Sequence, residues 1–412
     1  MLVAVSLVAL IGLAALAIDV TTLYLAHSEA EKVADAAALA GAKAFVSTGF
    51  TSGGLGDWND GGVQASACNG GTGYADLQAQ AAANQNTVGG VVPTVTTACN
   101  FANAQDPQIT VTVTRTALPT FFSRIFGRRT AQVTATAKAE AFNPSGGTTN
   151  ISVANVKPWL VANCDPTNPG PPANPACPGS AYYLTPPSYR IANRSTIGRS
   201  IQLTQLVPSI VGALTTLVNT YYAVDITSGA VSCPSSSSAS CGAVNPGAPG
   251  FFETVACSNP TKLQCGQSLN LPLAGGGILP PSSTAPALCL THANGYGAGQ
   301  GQDAIATPMP PAITGGDNNP QSTLVGVNNL SRSDSIVTVP IWDGDLVCVQ
   351  GITCTAPRVV GFMQIGLQQV DPPILTNGTI RGVILNLSGC GNATGTPIQG
   401  SGDSPIPVRL VR

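Results

Sequence analysis

The first part of the chain is dominated by apolar positions that predict one long helix. Residues 1–18 carry no charged side chain, and Asp19 is the first acidic residue. At a rise of about 1.5 Å per residue this run is roughly 27 Å long, close to the thickness of a bilayer core. Apolar residues then continue at helical spacing and predict a helix over residues 1–46; they are Leu23, Ala26, Ala30, Val33, Ala37 and Ala40.

The uncharged run could be a signal peptide, a membrane anchor or a packing surface. Ala15–Ala17 resembles a small-residue cleavage site. However, no Lys or Arg precedes the run and no helix breaker follows it. We therefore expect the helix to be retained, and Met1 would be the mature N-terminus if a leader has already been removed.

Small residues recur along the second half of this helix and would allow close approach of a neighbouring helix. We expect an assembly helix that uses Met1, Leu13, Asp19, Ala30, Ala34, Ala38 and Gly41. For Asp19 two interpretations stay open. It could lie among lipid headgroups, or it could become buried when helices bundle, where it would need a cationic partner such as the N-terminal amine of another copy.

Residues 47–142 predict a small α/β unit. A helix is expected over Tyr74–Val88, and strict alternation predicts a strand over Gln108–Thr116 that places Ile109, Val111 and Val113 on one face. A second strand is expected in the segment TAQVTATAKAEAF. Between them, LPTFFSRIFGRR combines aromatic and basic residues. It could lie on a membrane surface, but its shortness favours a cap on the core of this unit.

Residues 143–150 read as a linker, and residues 151–412 as a mainly-β, sandwich-like or open-barrel domain. The strand candidates are SIQLTQLV, IVTVPIW, DLVCVQG, VVGFMQIGLQQV, TIRGVILNLSG and IPVRLVR. Ser209–Ile226 is the one predicted helix of this domain, although its tail could equally be a strand. Charged residues make up only 9% of the chain, whereas 43% are apolar, which indicates a folded, loop-rich extracellular protein rather than a disordered one.

The cysteines indicate disulfides and an oxidising compartment. They are Cys68, Cys99, Cys164, Cys177, Cys233, Cys241, Cys257, Cys265, Cys289, Cys348, Cys354 and Cys390. None has Cys-x-x-Cys spacing, so disulfides are favoured over a metal site. We expect the local pairs 164–177, 233–241, 257–265 and 348–354, together with 68–99 and 289–390, although spacing alone does not fix the connectivity.

The helix sequence resembles a known family. LIGLAALAIDV followed by EAEKVADAAALAGA resembles the N-terminal segment of TadE/TadG-like proteins of the tight-adherence (Flp) pilus system, a type IV pilus system. The resemblance implies a pilin-like subunit that is inserted in the inner membrane and delivered to the cell surface by pilus assembly machinery. Together with the strand and cysteine patterns, the predicted fold is α+β, with a hydrophobic N-terminal helix, a small pilin-like sheet and a disulfide-rich, mainly-β domain. The Asp-x-Ser-x-Ser metal motif of some longer members is missing here.

Residue patterns for other functions are weak. His292 lies in a Gly-rich segment and is expected to be solvated rather than catalytic. The segments DWNDGG and DGD read as turns rather than Ca²⁺ sites. A net charge of −2 does not favour nucleic acid as a partner. We therefore expect no enzyme activity, no metal site and no cofactor. The prediction is a subunit that polymerises with itself into a surface filament, or alternatively a membrane-anchored minor pilin or tip adhesin.

Overall fold

The fold was analysed in a computed structural model. It describes residues 2–53, 59–103, 105–127, 129–145, 150–165, 180–184, 190–192, 194–206, 219–224, 226, 230–231, 233, 250–269, 282–306, 312–319, 321–328, 330, 333–343, 357–372, 378–391, 398–399 and 404–411.

The described residues form helices and strands in an α+β arrangement. The helices are α1 (Leu2–Ser47), α2 (Gly61–Ala67), α3 (Tyr74–Asn84), α4 (Phe251–Ala256) and α5 (Thr284–Thr291). The strands are β1 (Thr94–Asn100), β2 (Gln108–Pro119), β3 (Thr130–Ala141), β4 (Ile151–Val153), β5 (Trp159–Ala162), β6 (Ser200–Leu206), β7 (Thr220–Ala223), β8 (Leu263–Gln264), β9 (Ala304–Ala306), β10 (Ala312–Thr314), β11 (Ile336–Trp342), β12 (Val359–Val370), β13 (Thr379–Gly389), β14 (Ile398–Gln399) and β15 (Val408–Val411).

Contacts between Cα atoms divide the chain into two compact units. Unit 1 consists of Met1–Phe45, Trp58–Ala141 and Val408–Arg412. Unit 2 consists of Val46–Asp57 and Phe142–Pro407. The segment Val408–Arg412 therefore belongs to the same unit as α1.

Unit 1 contains an antiparallel sheet in the order β1-β2-β3-β15. The alternation in β2 has the predicted effect, because Ile109, Val111 and Val113 are fully buried while the threonines between them are partly exposed. α1 packs beside this sheet: a Cβ added at Gly41 would lie 2.6 Å from Cδ1 of Ile109 and 3.1 Å from the carbonyl oxygen of Ala75. The predicted hydrophobic helix with a small sheet is thus confirmed.

The main sheet of unit 2 closes into a barrel in the order β11-β12-β13-β6-β7-β5. Its neighbours are antiparallel except for two parallel pairs, β6 with β7 and β5 with β11. The mainly-β prediction is confirmed, but the sandwich-like or open arrangement is wrong because the short strand β5 pairs with both β7 and β11 and completes the ring. Trp159 and Trp342 are fully buried in the core of this unit. Smaller sheets are β14-β4-β8 and β10-β9.

Three further predictions are confirmed only in part or lie outside the described residues. The tail of the predicted helix 209–226 is strand β7, and residues 207–218 lie outside the described residues. The predicted strand DLVCVQG also lies outside them. The stretch predicted as a linker begins with the buried residues Asn143 and Ser145. The Asn143 side chain donates to the carbonyl oxygen of Leu387 at 3.0 Å.

Of the six predicted disulfide pairs, one is confirmed and three are wrong. Cys68–Cys99 is bonded as predicted. The other described bonds are Cys233–Cys257 and Cys265–Cys390. They replace the predicted pairs 233–241, 257–265 and 289–390, because the fold brings together cysteines that are far apart in sequence.

The remaining cysteines are only partly within the described chain. Cys164 and Cys289 are also disulfide-bonded. Cys177, Cys241, Cys348 and Cys354 lie outside the described residues, and so does the predicted pair 348–354. Every described cysteine is therefore in a disulfide.

Candidate functional site

The first half of α1 is an exposed apolar surface. Among residues 3, 6, 7 and 10–25, whose side chains the structure describes, only Ala15 and Asp19 are buried. Leu13 is 64% exposed, whereas Met1 lies outside the described residues. The exposed large apolar side chains are Val3, Leu7, Leu10, Ile11, Leu13, Leu16, Ile18, Val20, Tyr24 and Leu25. We call these residues the apolar helix surface.

The small residues of the second half of α1 are packed within unit 1. Ala30, Ala34 and Ala38 are fully buried, and Gly41 lies against β2 and α3. Their small size allows this close approach of the helix to its own unit. These four residues are therefore covered by their own unit and are not exposed for contact with another copy.

Asp19 is buried and bound by its own chain. Its Oδ1 accepts a hydrogen bond from the Phe121 amide at 2.9 Å. Its Oδ2 accepts from the Phe122 amide at 3.1 Å and from both the amide and the hydroxyl of Ser123 at 2.8 Å. These four donors satisfy a buried carboxylate, which removes the physical reason for a cationic partner from another copy.

The hydrogen bonds of Asp19 hold the segment between β2 and β3 against α1. This segment, residues 120–129, is called the basic loop below, and it contains a 3₁₀ turn over Ser123–Phe126. Phe121 is 61% exposed, so this ring does not cap the core as expected. Arg124 and Arg129 are also exposed. The sequence contains both Asp19 and the basic loop, but no pattern in it predicts that the two are in contact.

A second tie joins α1 to the turn that follows α3. The Gly89 amide donates to Oε2 of Glu29 at 2.7 Å. Further along the helix, the rings of Phe45 and Phe101 pack edge to face with centroids 5.9 Å apart. Polar and aromatic contacts therefore fix α1 to unit 1 from Asp19 onward, while the residues before Asp19 remain largely uncovered.

The residues considered for catalysis and metal binding have structural roles. His292 is buried rather than solvated, and its Nε2 lies 3.1 Å from Oδ2 of Asp334. This hydrogen bond lowers the pKa of Asp334. A hydrolytic dyad would also need a hydroxyl at Nδ1 of the histidine, and the contacts of the described residues contain none there. The pair therefore joins a buried histidine to an exposed aspartate.

The acidic turns also act within the fold. Asp60 caps α2 by accepting from the amides of Gly62 and Val63 at 2.7 and 3.3 Å. The last two residues of DWNDGG thus begin helix α2 rather than a turn, whereas its first two residues and most of the DGD segment lie outside the described residues. Asp76 lies near Cys68 and Cys99. Since these two sulfurs are bonded to each other, they are not available as thiolate ligands.

These features define a class of protein: a long apolar helix carries a small antiparallel unit and is followed by an oxidised, mainly-β region. Within α1, residues 10–47 form a helix long and apolar enough to cross a membrane, a property that a signal sequence can share. Residues 1–44 match the family described as Tad, "Putative Flp pilus-assembly TadE/G-like". The resemblance seen in the sequence is confirmed over this segment, and it supports a pilus-related role. No curated protein and no solved structure matches the chain.

Proposed function

We propose that the chain is a pilin-like structural subunit that polymerises through the apolar helix surface into a filament outside the cell. The observation that carries this proposal is the exposure of that surface. Ten large apolar side chains on one helix would be costly to leave in water. A bilayer can cover them before assembly, and copies of the same helix can cover them afterwards.

The length of the surface favours assembly over anchoring alone. The uncharged run ends at Ile18, yet Val20, Tyr24 and Leu25 are also exposed beyond it. Leu25 lies seven residues past Ile18, or about 10 Å along the helix axis. An anchor of about 18–20 residues does not require apolar residues at these positions. In a filament they would be covered by neighbouring helices.

The proposed route begins in the inner membrane. α1 would insert there, and pilus assembly machinery would then move the subunit into the filament at the cell surface. The disulfides of both units fit maturation in an oxidising compartment. No catalytic step, cofactor or nucleic acid is part of this proposal.

A matched pair of variants tests the role of the helix. Leu25→Glu places a charge on the apolar helix surface beyond the uncharged run, and Leu77→Glu places one on an exposed apolar residue of α3. We expect Leu25→Glu to abolish filaments while the subunit still fractionates with membranes. The Leu77→Glu variant should form filaments normally.

Electron microscopy of surface material supplies the decisive measurement. Continuous helical density from this chain, with α1 at the filament centre, would support the proposal. A filament core built from the β regions, or normal filaments from the Leu25→Glu variant, would contradict it. Density for this chain at filament ends alone would instead favour the minor pilin or tip adhesin.

A further inference from the structure

The basic loop presents an aromatic ring and cationic groups on one exposed segment. Phe121 is mostly exposed, and Arg124 and Arg129 are exposed beside it. An exposed phenylalanine has no stabilising role in water, because its ring gains nothing from the core. Aromatic and basic residues together are typical of segments that lie at a membrane surface.

The position of the basic loop along α1 is fixed by Asp19. The backbone amides of Phe121, Phe122 and Ser123 all donate to this carboxylate. Asp19 directly follows the uncharged run, whose length of roughly 27 Å matches the hydrocarbon core. When that run spans a bilayer, the basic loop lies at the level of the lipid headgroups.

The charge of this region is of one sign. The sequence has no acidic residue between Asp106 and Glu140, whereas Arg115, Arg124, Arg128 and Arg129 all fall within this interval. The carboxylate of Asp19 is buried and satisfied by the loop backbone. The exposed residues Arg124 and Arg129 therefore have no acid on their own segment, and guanidinium groups bind phosphate oxygens well.

We propose that the basic loop is a second membrane contact, in which Phe121 enters the interface and the arginines bind anionic phospholipid headgroups. This inference rests on the membrane-inserted stage of the proposed function. The contact would fix the depth and the rotation of α1 in the bilayer before assembly. Asp19 would act as the positioning residue that holds the loop at the correct height.

Tryptophan fluorescence of the full-length chain in lipid vesicles tests the contact. Phe121→Trp places a probe in the basic loop, and Leu77→Trp places one at an exposed apolar site of α3 in the same unit. Emission from the three native tryptophans is subtracted with the wild-type chain. The vesicles contain phosphatidylcholine with or without phosphatidylglycerol, and brominated lipids serve as quenchers.

We expect brominated lipids to quench Phe121→Trp in phosphatidylglycerol vesicles and to leave Leu77→Trp emission unchanged. Replacing Arg124 and Arg129 by Gln in the Phe121→Trp chain should weaken the dependence on phosphatidylglycerol, by about fivefold for each arginine. High salt should also weaken the dependence of quenching on phosphatidylglycerol, because it screens exposed charges.

Two results would overturn the inference. In the first, Phe121→Trp is quenched no more than Leu77→Trp. In the second, its emission depends on the number of subunits per vesicle and not on phosphatidylglycerol, which would place the loop against another copy. Neither result tests polymerisation. The proposed filament is therefore tested separately, by electron microscopy of cells that carry the same variants.

Discussion

Asp19 and Ser123 are joined by two hydrogen bonds, since Oδ2 of the aspartate accepts from both the amide and the hydroxyl of the serine at 2.8 Å. The two residues are separated by 104 positions in the chain. An acid that directly follows the uncharged run of α1 is thus a fixed attachment point for a distant loop.

Replacing Asp19 by Asn should release this loop. An amide presents one oxygen and one NH₂ group, and the NH₂ group would face donors that need an acceptor. We expect faster hydrogen exchange at the amides of residues 121–123 in the detergent-solubilised chain. Asp35→Asn is the matched control, because Asp35 is exposed on the same helix. Unchanged exchange in the Asp19 variant would argue against the attachment.

Gly41 should be intolerant of a side chain, whereas Gly12 should accept one. A Cβ at Gly41 meets Ile109 and the backbone of Ala75, but a Cβ at Gly12 has open space around it. Overpacking of a filled core costs about 1–3 kcal/mol. We expect Gly41→Leu to lower the thermal unfolding temperature of unit 1 and Gly12→Leu to leave it unchanged or raised. Equal effects of the two substitutions would contradict the close packing of α1.

The Cys265–Cys390 bond should contribute strongly to the stability of unit 2. It joins residues 125 positions apart, and bonds that close long loops restrict the unfolded chain most. We expect replacement of both cysteines by Ala to cost about 2–5 kcal/mol of unfolding free energy. Denaturant titration of the variant measures this loss. If the midpoint does not move, the bond does not constrain the unfolded chain as assumed.

Asp106 should make unit 1 less stable as the pH rises from about 4 to 6. Burial and the neighbouring Glu140 carboxylate raise the pKa of Asp106 to about 6, above about 3.9 in an unfolded chain. The folded state therefore binds the proton more tightly, and its contribution to stability is complete below about pH 4 and is lost as the pH passes about 6.

Glu140, the acidic neighbour of Asp106, is also bound by a residue of strand β15. Arg409 donates to Glu140 at 2.5 Å, and Gln108 donates to its other oxygen at 3.1 Å. Asp106→Asn should remove this part of the pH dependence, because the amide does not titrate. Thermal unfolding of both chains between pH 4 and 7 measures the difference. Parallel curves for the two chains would show that Asp106 is not the titrating group.

The elements that the sequence predicts well are those with a long, regular pattern. The apolar spacing predicts α1 through residue 46, and the structure ends the helix at Ser47. The strand IVTVPIW is β11 without a change of boundary. In both cases the pattern is long enough to identify one period.

Short or half-exposed elements left no comparable signal. Strand β1 alternates only between exposed and partly buried residues, and it lies at the edge of its sheet. Helix α5 is buried except at Ala285, so it has no polar face to indicate a helical period. The closure of the barrel depends on β5, which has only four residues.

Contacts between residues far apart in the chain could not be predicted from the sequence for a different reason. Nearness in sequence suggested a bond between Cys257 and Cys265, yet each of them is bonded to a more distant cysteine. The small-residue pattern of α1 identified a close-packing face correctly. It did not distinguish the helix's own sheet from a second copy, because both require the same small side chains.

The pairing of β15 with β3 has a consequence for biogenesis. Strand β3 is synthesised before β15. The outer edge of β3 therefore has no strand partner until residues 408–411 have been made. Synthesis of all the intervening residues must therefore precede completion of that sheet. A chain stopped before residue 408 would leave the twelve-residue strand β3 as the edge of the sheet in place of the four-residue strand β15, and a long open edge is the more prone to pair with other chains.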